Sequence, residues 1–74
     1  MNDEQRFLFE GATSDLVDCV MRYEHLSMQD AMSVVYGSKL HAKMENPATA
    51  LYREGPVYLY DMLCEERGVK SAIR

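Results

Sequence analysis

An all-α fold follows from three features of this 74-residue sequence. Apolar residues recur at steps of three and four through most of the chain, and short polar residues able to cap a helix stand just ahead of those stretches. Both prolines and most of the glycines fall between the stretches. The expected architecture is one compact bundle of about four helices, near residues 3–24, 28–36, 39–45 and 56–67. A single domain would span residues 1–68, with 69–74 as a frayed basic tail.

Asn2 or Asp3 can cap the first helix, and Asp3 and Glu4 sit well against the positive end of its dipole. Leu8, Ala12, Leu16, Val20 and Tyr23 form its apolar stripe, which Phe9, Val17 and Met21 widen. Gly11 weakens this helix by about 1 kcal/mol relative to alanine, and Thr13-Ser14-Asp15 offers an alternative start. The stripe crosses Gly11 without a change of phase, so a continuous helix is expected. Ser27 and Asp30, three apart, nearly form a capping box for a second helix with Met28, Ala31, Met32 and Val35 on its inner face. Gly37 is expected to stop that helix in the left-handed conformation. Ser38 can cap the third helix, which carries Leu40 and Met44 inward. It must end by Asn46, because a residue before proline is pushed out of the helical region.

Both prolines and three tyrosines crowd into "ENPATALYREGPVYLYDML", residues 45–63. Asn46-Pro47 ends the third helix, Thr49 can hydrogen-bond its local backbone, and Leu51 with Tyr52 can fold back onto the core. Gly55-Pro56 starts the fourth helix, since a proline in the first turn gives up an amide that had no partner. Leu59, Met62 and Leu63 are expected to face in, Tyr58 and Tyr60 to lie at the edges, and Asp61, Glu65 and Glu66 to point outward. Gly68 supplies the stop. The β-branched and aromatic residues of Val57–Tyr60 would also suit an edge strand, but they sit inside the helical frame set by Pro56 and Gly68.

Composition bounds the function. A hydrophobic fraction of 47% and a charged fraction of 27% are those of an ordinary globular protein, too apolar for disorder. So short a chain buries about 60% of its unfolded surface, near the lower limit for folding alone, which makes partner contacts an open possibility. Apolar runs are far shorter than the roughly 20 residues of a membrane span, and the acidic start MNDEQR lacks the basic end of a secretory signal. A soluble, unprocessed, cytoplasmic protein is the expectation, with Cys19 and Cys64 as reduced thiols rather than a disulfide. Of the net charge of −4, residues 1–30 hold seven acids and two bases, and residues 31–74 hold five acids and six bases. The acidic front half repels phosphate backbones and suits a basic partner, unless it is simply a solvated helix face.

The motifs of catalysis are missing. Cys19 and His25 are six apart and point in different directions on one helix, so a nucleophile–base pair would need a tertiary contact. No C-x-x-C or H-x₃-H spacing places two metal ligands on one turn, and the glycines form no phosphate loop. The adjacent carboxylates Asp3-Glu4 and Glu65-Glu66 diverge by about 100° on a helix and cannot grip one proton together. No enzyme activity, cofactor, metal or small-molecule ligand is expected.

"SMQDAMSVVYGSKLHAKM" reads as helix, tight turn, helix, and Lys39, His41 and Lys43 give its second helix a basic edge. Ala31 and Gly37 are six apart, where the DNA-reading version has four, and the chain is acidic. A DNA-binding regulator using residues 28–45 is therefore the alternative reading, not the preferred one. The six methionines could line an adaptable groove, although Met28, Met32, Met44 and Met62 fall at inward positions that suit core filling. Met21, on the margin of the first helix, could extend an exposed apolar strip.

The stretch "DAMSVVYGSKLHAKMENPATALYREGPVYLYDMLCEE" resembles a pattern found in small uncharacterised proteins of gut and other anaerobic bacteria. The pattern joins a helix beginning "EA" or "DA" and ending in Tyr-x-Ser, a short Leu-bearing helix, a turn "xPxTGLY" and a helix "SPxYLYxxLxEE". Asp30-Ala31, Tyr36, Ser38, Leu40, Pro47, Thr49, Leu51, Tyr52, Pro56, Tyr58, Tyr60, Leu63, Glu65 and Glu66 match it. Ala50 replaces the usual glycine and Gly55 the usual serine. The resemblance implies a compact all-α fold, assigns no catalytic residues, and hints at a regulatory partner because related short families sit beside toxin-like genes. The expected function is a non-catalytic helical protein acting through contacts with another protein or with itself as a homodimer, possible surface residues being Phe7, Met21, Tyr52, Tyr58 and Tyr60. Four short helices can hardly cover Phe7, Phe9 and Met21 together.

Overall fold

The computed structural model describes residues 1–69, so the basic end of the expected tail, 70–74, lies outside the described residues. Four α-helices run in order: α1 (Asp3–Glu24), α2 (Met28–Tyr36), α3 (Lys39–Glu45) and α4 (Pro56–Arg67). Two 3₁₀ turns, Pro47–Thr49 and Leu51–Arg53, join α3 to α4. No strand forms among the described residues, and Val57–Tyr60 are helical.

Local chemistry sets the ends. Asn2 accepts from the Gln5 amide at 2.8 Å while Gln5 accepts from the Asn2 amide at 3.0 Å, a complete capping box on α1. The helix passes through Gly11 without a break and ends at His25, whose φ of 55° puts a non-glycine residue in the left-handed region. Ser27 caps α2 through the Asp30 amide at 3.1 Å, and Ser38 caps α3 through the His41 amide at 3.0 Å. Gly55 precedes Pro56 at the first position of α4, and Gly68 ends that helix at φ 71°. Gly37 departs from expectation: its φ is −85°, right-handed, and its amide donates to the Ser33 carbonyl while the Ser38 amide donates to Val35. What calls for glycine there is space, since a Cβ would stand 3.0 Å from the Ser33 carbonyl oxygen.

α1 is the spine. α2 and α4 both pack against it and barely touch each other, while α3 and the second 3₁₀ turn close one end. The core joins Ala12, Leu16, Val17 and Val20 of α1 to Ala31 and Val35 of α2, Leu40 and Met44 of α3, Tyr52, and Leu59, Tyr60, Leu63 and Cys64 of α4. Thr13 is buried too, its hydroxyl donating to the Phe9 carbonyl at 2.9 Å.

Two inner faces differ from the sequence reading. On α2, Ala31 and Val35 are buried, but Met28 and Met32 are 60% and 40% exposed. A nine-residue helix that packs mainly on α1 turns one narrow stripe inward, and among the described residues the next stripe around stays partly exposed. On α4 the buried set is Leu59, Tyr60, Leu63 and Cys64, with Met62 half-buried, so the helix is rotated to bring Tyr60 in from the edge.

Candidate partner-binding groove

The exposed stripe of α2 borders an open groove. Met28, Met32 and Tyr36, four residues apart in turn, form one wall, and Val17 and Met21 of α1 form the other, with Ser14 and Asp18 at the rim. This part of the groove has a volume of about 300 Å³. Tyr36 also borders a second hollow of about 520 Å³, lined by Phe9, Glu10 and Thr13 of α1 and His41 and Glu45 of α3. Tyr36 thus lines both hollows, whose α1 residues run from Phe9 to Met21, about 18 Å of helix axis.

Side chains around Tyr36 hold one another in place. The His41 ring lies 5.1 Å from Phe9 and 4.8 Å from Tyr36, both tilted. Its Nε2 is buried and makes no hydrogen bond among the described residues. His41 is therefore largely buried against Phe9 and Tyr36 and does not stand free on the basic edge beside Lys39 and Lys43. Lys39 and Lys43 are exposed, but the hollow they border also holds Glu65 and Glu66 of α4. Glu66 accepts from the amides of Lys39 at 2.7 Å and Leu40 at 2.8 Å, so the start of α3 is occupied by a carboxylate.

The five residues expected at a partner surface do not gather. Met21 lines the groove. Phe7, 76% exposed, borders a separate depression of about 200 Å³ in which Tyr52 is a buried wall. Tyr58 is exposed on α4. Tyr52 and Tyr60, expected at the surface, belong instead to the core: Tyr60 stacks on Tyr23 at 5.6 Å and donates its hydroxyl to Glu24 at 2.9 Å. Met28, Met32 and Tyr36 were legible only as an i, i+4, i+8 series one step around α2 from the true inner face.

Reactive groups are sparse here. Both cysteines are free; Cys64 is buried, and burial with the nearby Asp18 and Asp15 charges pushes the Cys19 thiol above its ordinary range, away from the reactive thiolate. Among the described residues no three His, Cys, Asp or Glu side chains gather to hold a metal ion, and no helix is long and apolar enough to cross a membrane. Comparison of the chain with protein-family models, with curated proteins and with solved structures finds no match in any of the three.

Proposed function

We propose that the chain is a small non-catalytic helical protein that works through protein–protein contacts, in the manner of a regulatory or antitoxin-like partner. The observation that carries this reading is the open groove along α1 and α2, where Met28, Met32 and Tyr36 are 60%, 40% and 53% exposed side by side. Isolated apolar side chains on a surface are ordinary, whereas several on one stripe facing a groove mark an interaction site. Methionine suits that role because its flexible thioether repacks against differently shaped partners.

Size exclusion with light scattering, combined with affinity capture from native lysate, tests the reading. The expected result is a defined dimer or a stoichiometric partner that is retained by the native chain and lost by Met32→Glu. A monodisperse monomer that retains nothing, or a partner held equally by both proteins, would remove the groove from consideration.

A further inference from the structure

We infer that the groove takes one class of occupant: an amphipathic helix of about three turns with lysine or arginine beside its apolar stripe. This deepens the reading of the chain as a protein–protein partner and rests on it. Length comes first, since the two hollows share Tyr36 as a lining residue and follow each other along α1 from Phe9 to Met21, about 18 Å of axis, long enough for a short helix laid beside it. Chemistry comes second: the apolar lining is Val17, Met21, Met28, Met32 and Phe9, a series that accepts side chains at helical spacing.

Charge then selects among occupants. Glu10, Asp18 and Glu45 stand along the two hollows, and no lysine or arginine lines either of them among the described residues. Asp18 has Arg22 at 3.6 Å, but both side chains are well exposed and such a pair is readily exchanged. Residues 1–30, which include all of α1 and the start of α2, carry seven acids against two bases. A second copy laid face to face would bring these carboxylates toward one another. A nucleic acid would bring phosphates to them. A helix with cationic flanks meets the apolar lining and the acidic rim together.

Because the chain has no tryptophan, a single tryptophan on the apolar stripe of a synthetic helical peptide of about 16 residues reports seating by a blue shift of its emission. Two peptides share that stripe, one flanked by Lys and Arg and one by Glu. The expected result is saturable binding of the basic peptide, weakened by salt and much weaker for the acidic one. Met32→Glu should reduce affinity on the order of tenfold or more, and the double variant Glu10→Gln/Glu45→Gln by about three- to tenfold. Met32, Glu10 and Glu45 are all exposed, and circular dichroism confirms that the variants remain helical. Equal binding of the two peptides, or affinities unchanged in both variants, overturns the inference. A dimer dissociated by Met32→Glu, with no peptide binding, makes the occupant a second copy and overturns it too. If neither peptide binds while a lysate partner is still lost by Met32→Glu, the occupant is wrong and the broader contact reading stands. If that capture also fails, both fall.

Discussion

Glu24, the last residue of α1, and Arg67, the last residue of α4, meet in a two-point contact: Nη1 donates to Oε2 at 2.7 Å and Nη2 to Oε1 at 2.9 Å. The Tyr60 hydroxyl donates to the same Oε2 at 2.9 Å. Forty-three residues separate the two in sequence, so this carboxylate ties the C-terminal ends of α1 and α4 together. Paired planar geometry and partial burial lift it above an ordinary surface ion pair. The same contact leaves its mark on ionisation. Arg67 first, and the Tyr60 hydroxyl after it, hold the Glu24 carboxyl below its ordinary range against the opposing effect of burial. Burial, with Cys64 and Glu24 alongside, pushes the Tyr60 phenol well above its own range.

Glu24→Gln should cost about 1–3 kcal/mol, because it removes the charge from two hydrogen bonds and turns one amide nitrogen toward a donor. The sign of its pH dependence follows from the lowered pKa. A carboxyl bound more tightly as its anion stabilises the fold fully above its unfolded value near 4.5, and that contribution is lost as pH falls through the lower folded value. Urea midpoints of the native chain and Glu24→Gln should therefore differ at pH 7 and converge below pH 4.5. A gap that stays constant to pH 3 would show that the carboxylate charge does not hold the two helices together.

Glu66→Ala should loosen α3 more than it loosens the rest of the protein. α3 has seven residues, too few to be stable alone, and two of its first amides end on Glu66 from α4. Loss of a cap of this kind costs about 0.5–2 kcal/mol. Hydrogen exchange at the Lys39 and Leu40 amides should accelerate, while protection in the middle of α1 falls by no more than the global change in stability. Unchanged exchange at those two amides would mean that water replaces the carboxylate without cost.

Helix spans, the serine caps and the last stop were legible because each rests on chemistry within a few residues: Ser27 with Asp30, Ser38 with His41, Gly68 at φ 71°. What was not legible depends on which element covers which. Met28 and Met32 share an apolar period with Ala31 and Val35, and periodicity alone cannot say that α1 reaches one stripe and leaves the next bare. Tyr60 reads as an edge residue until Glu24 is brought within reach of its hydroxyl from 36 residues away. Lys39, His41 and Lys43 read as one basic edge, yet the fold buries the histidine ring and sets α4 carboxylates beside the lysines. The groove followed the same rule: its methionines were visible in the sequence, and their place along one wall opposite Val17 and Met21 was not.

Leu63 and Pro56 lie on the same helix and should respond very differently to truncation. Leu63 is fully buried in the core, so Leu63→Ala loses both apolar contact and packing, at a cost of about 2–5 kcal/mol. Pro56 is exposed at the first position of α4, where no amide partner is forfeited, and Pro56→Ala should shift stability by less than about 1 kcal/mol. Equal urea midpoints for the two variants would contradict the orientation of α4.

Ala50 links the two 3₁₀ turns at φ 53° and ψ 21°, so a side-chain-bearing residue occupies the left-handed region at the point where the chain doubles back to bury Tyr52. The left-handed conformation costs an L-residue roughly 1–2 kcal/mol, while glycine gives up about 0.4–1 kcal/mol through the greater freedom of its unfolded chain. The balance favours Ala50→Gly by about 0.5 kcal/mol. Ala50→Val should go the other way by more than that, since branching at Cβ makes a positive φ harder still to hold. Ala50 is exposed, so neither substitution disturbs the core, and an unchanged denaturant slope would confirm that the effect is local. The order of midpoints should be glycine above alanine above valine; a glycine variant weaker than the native chain would mean that the turn is held by its hydrogen bonds with no strain to relieve.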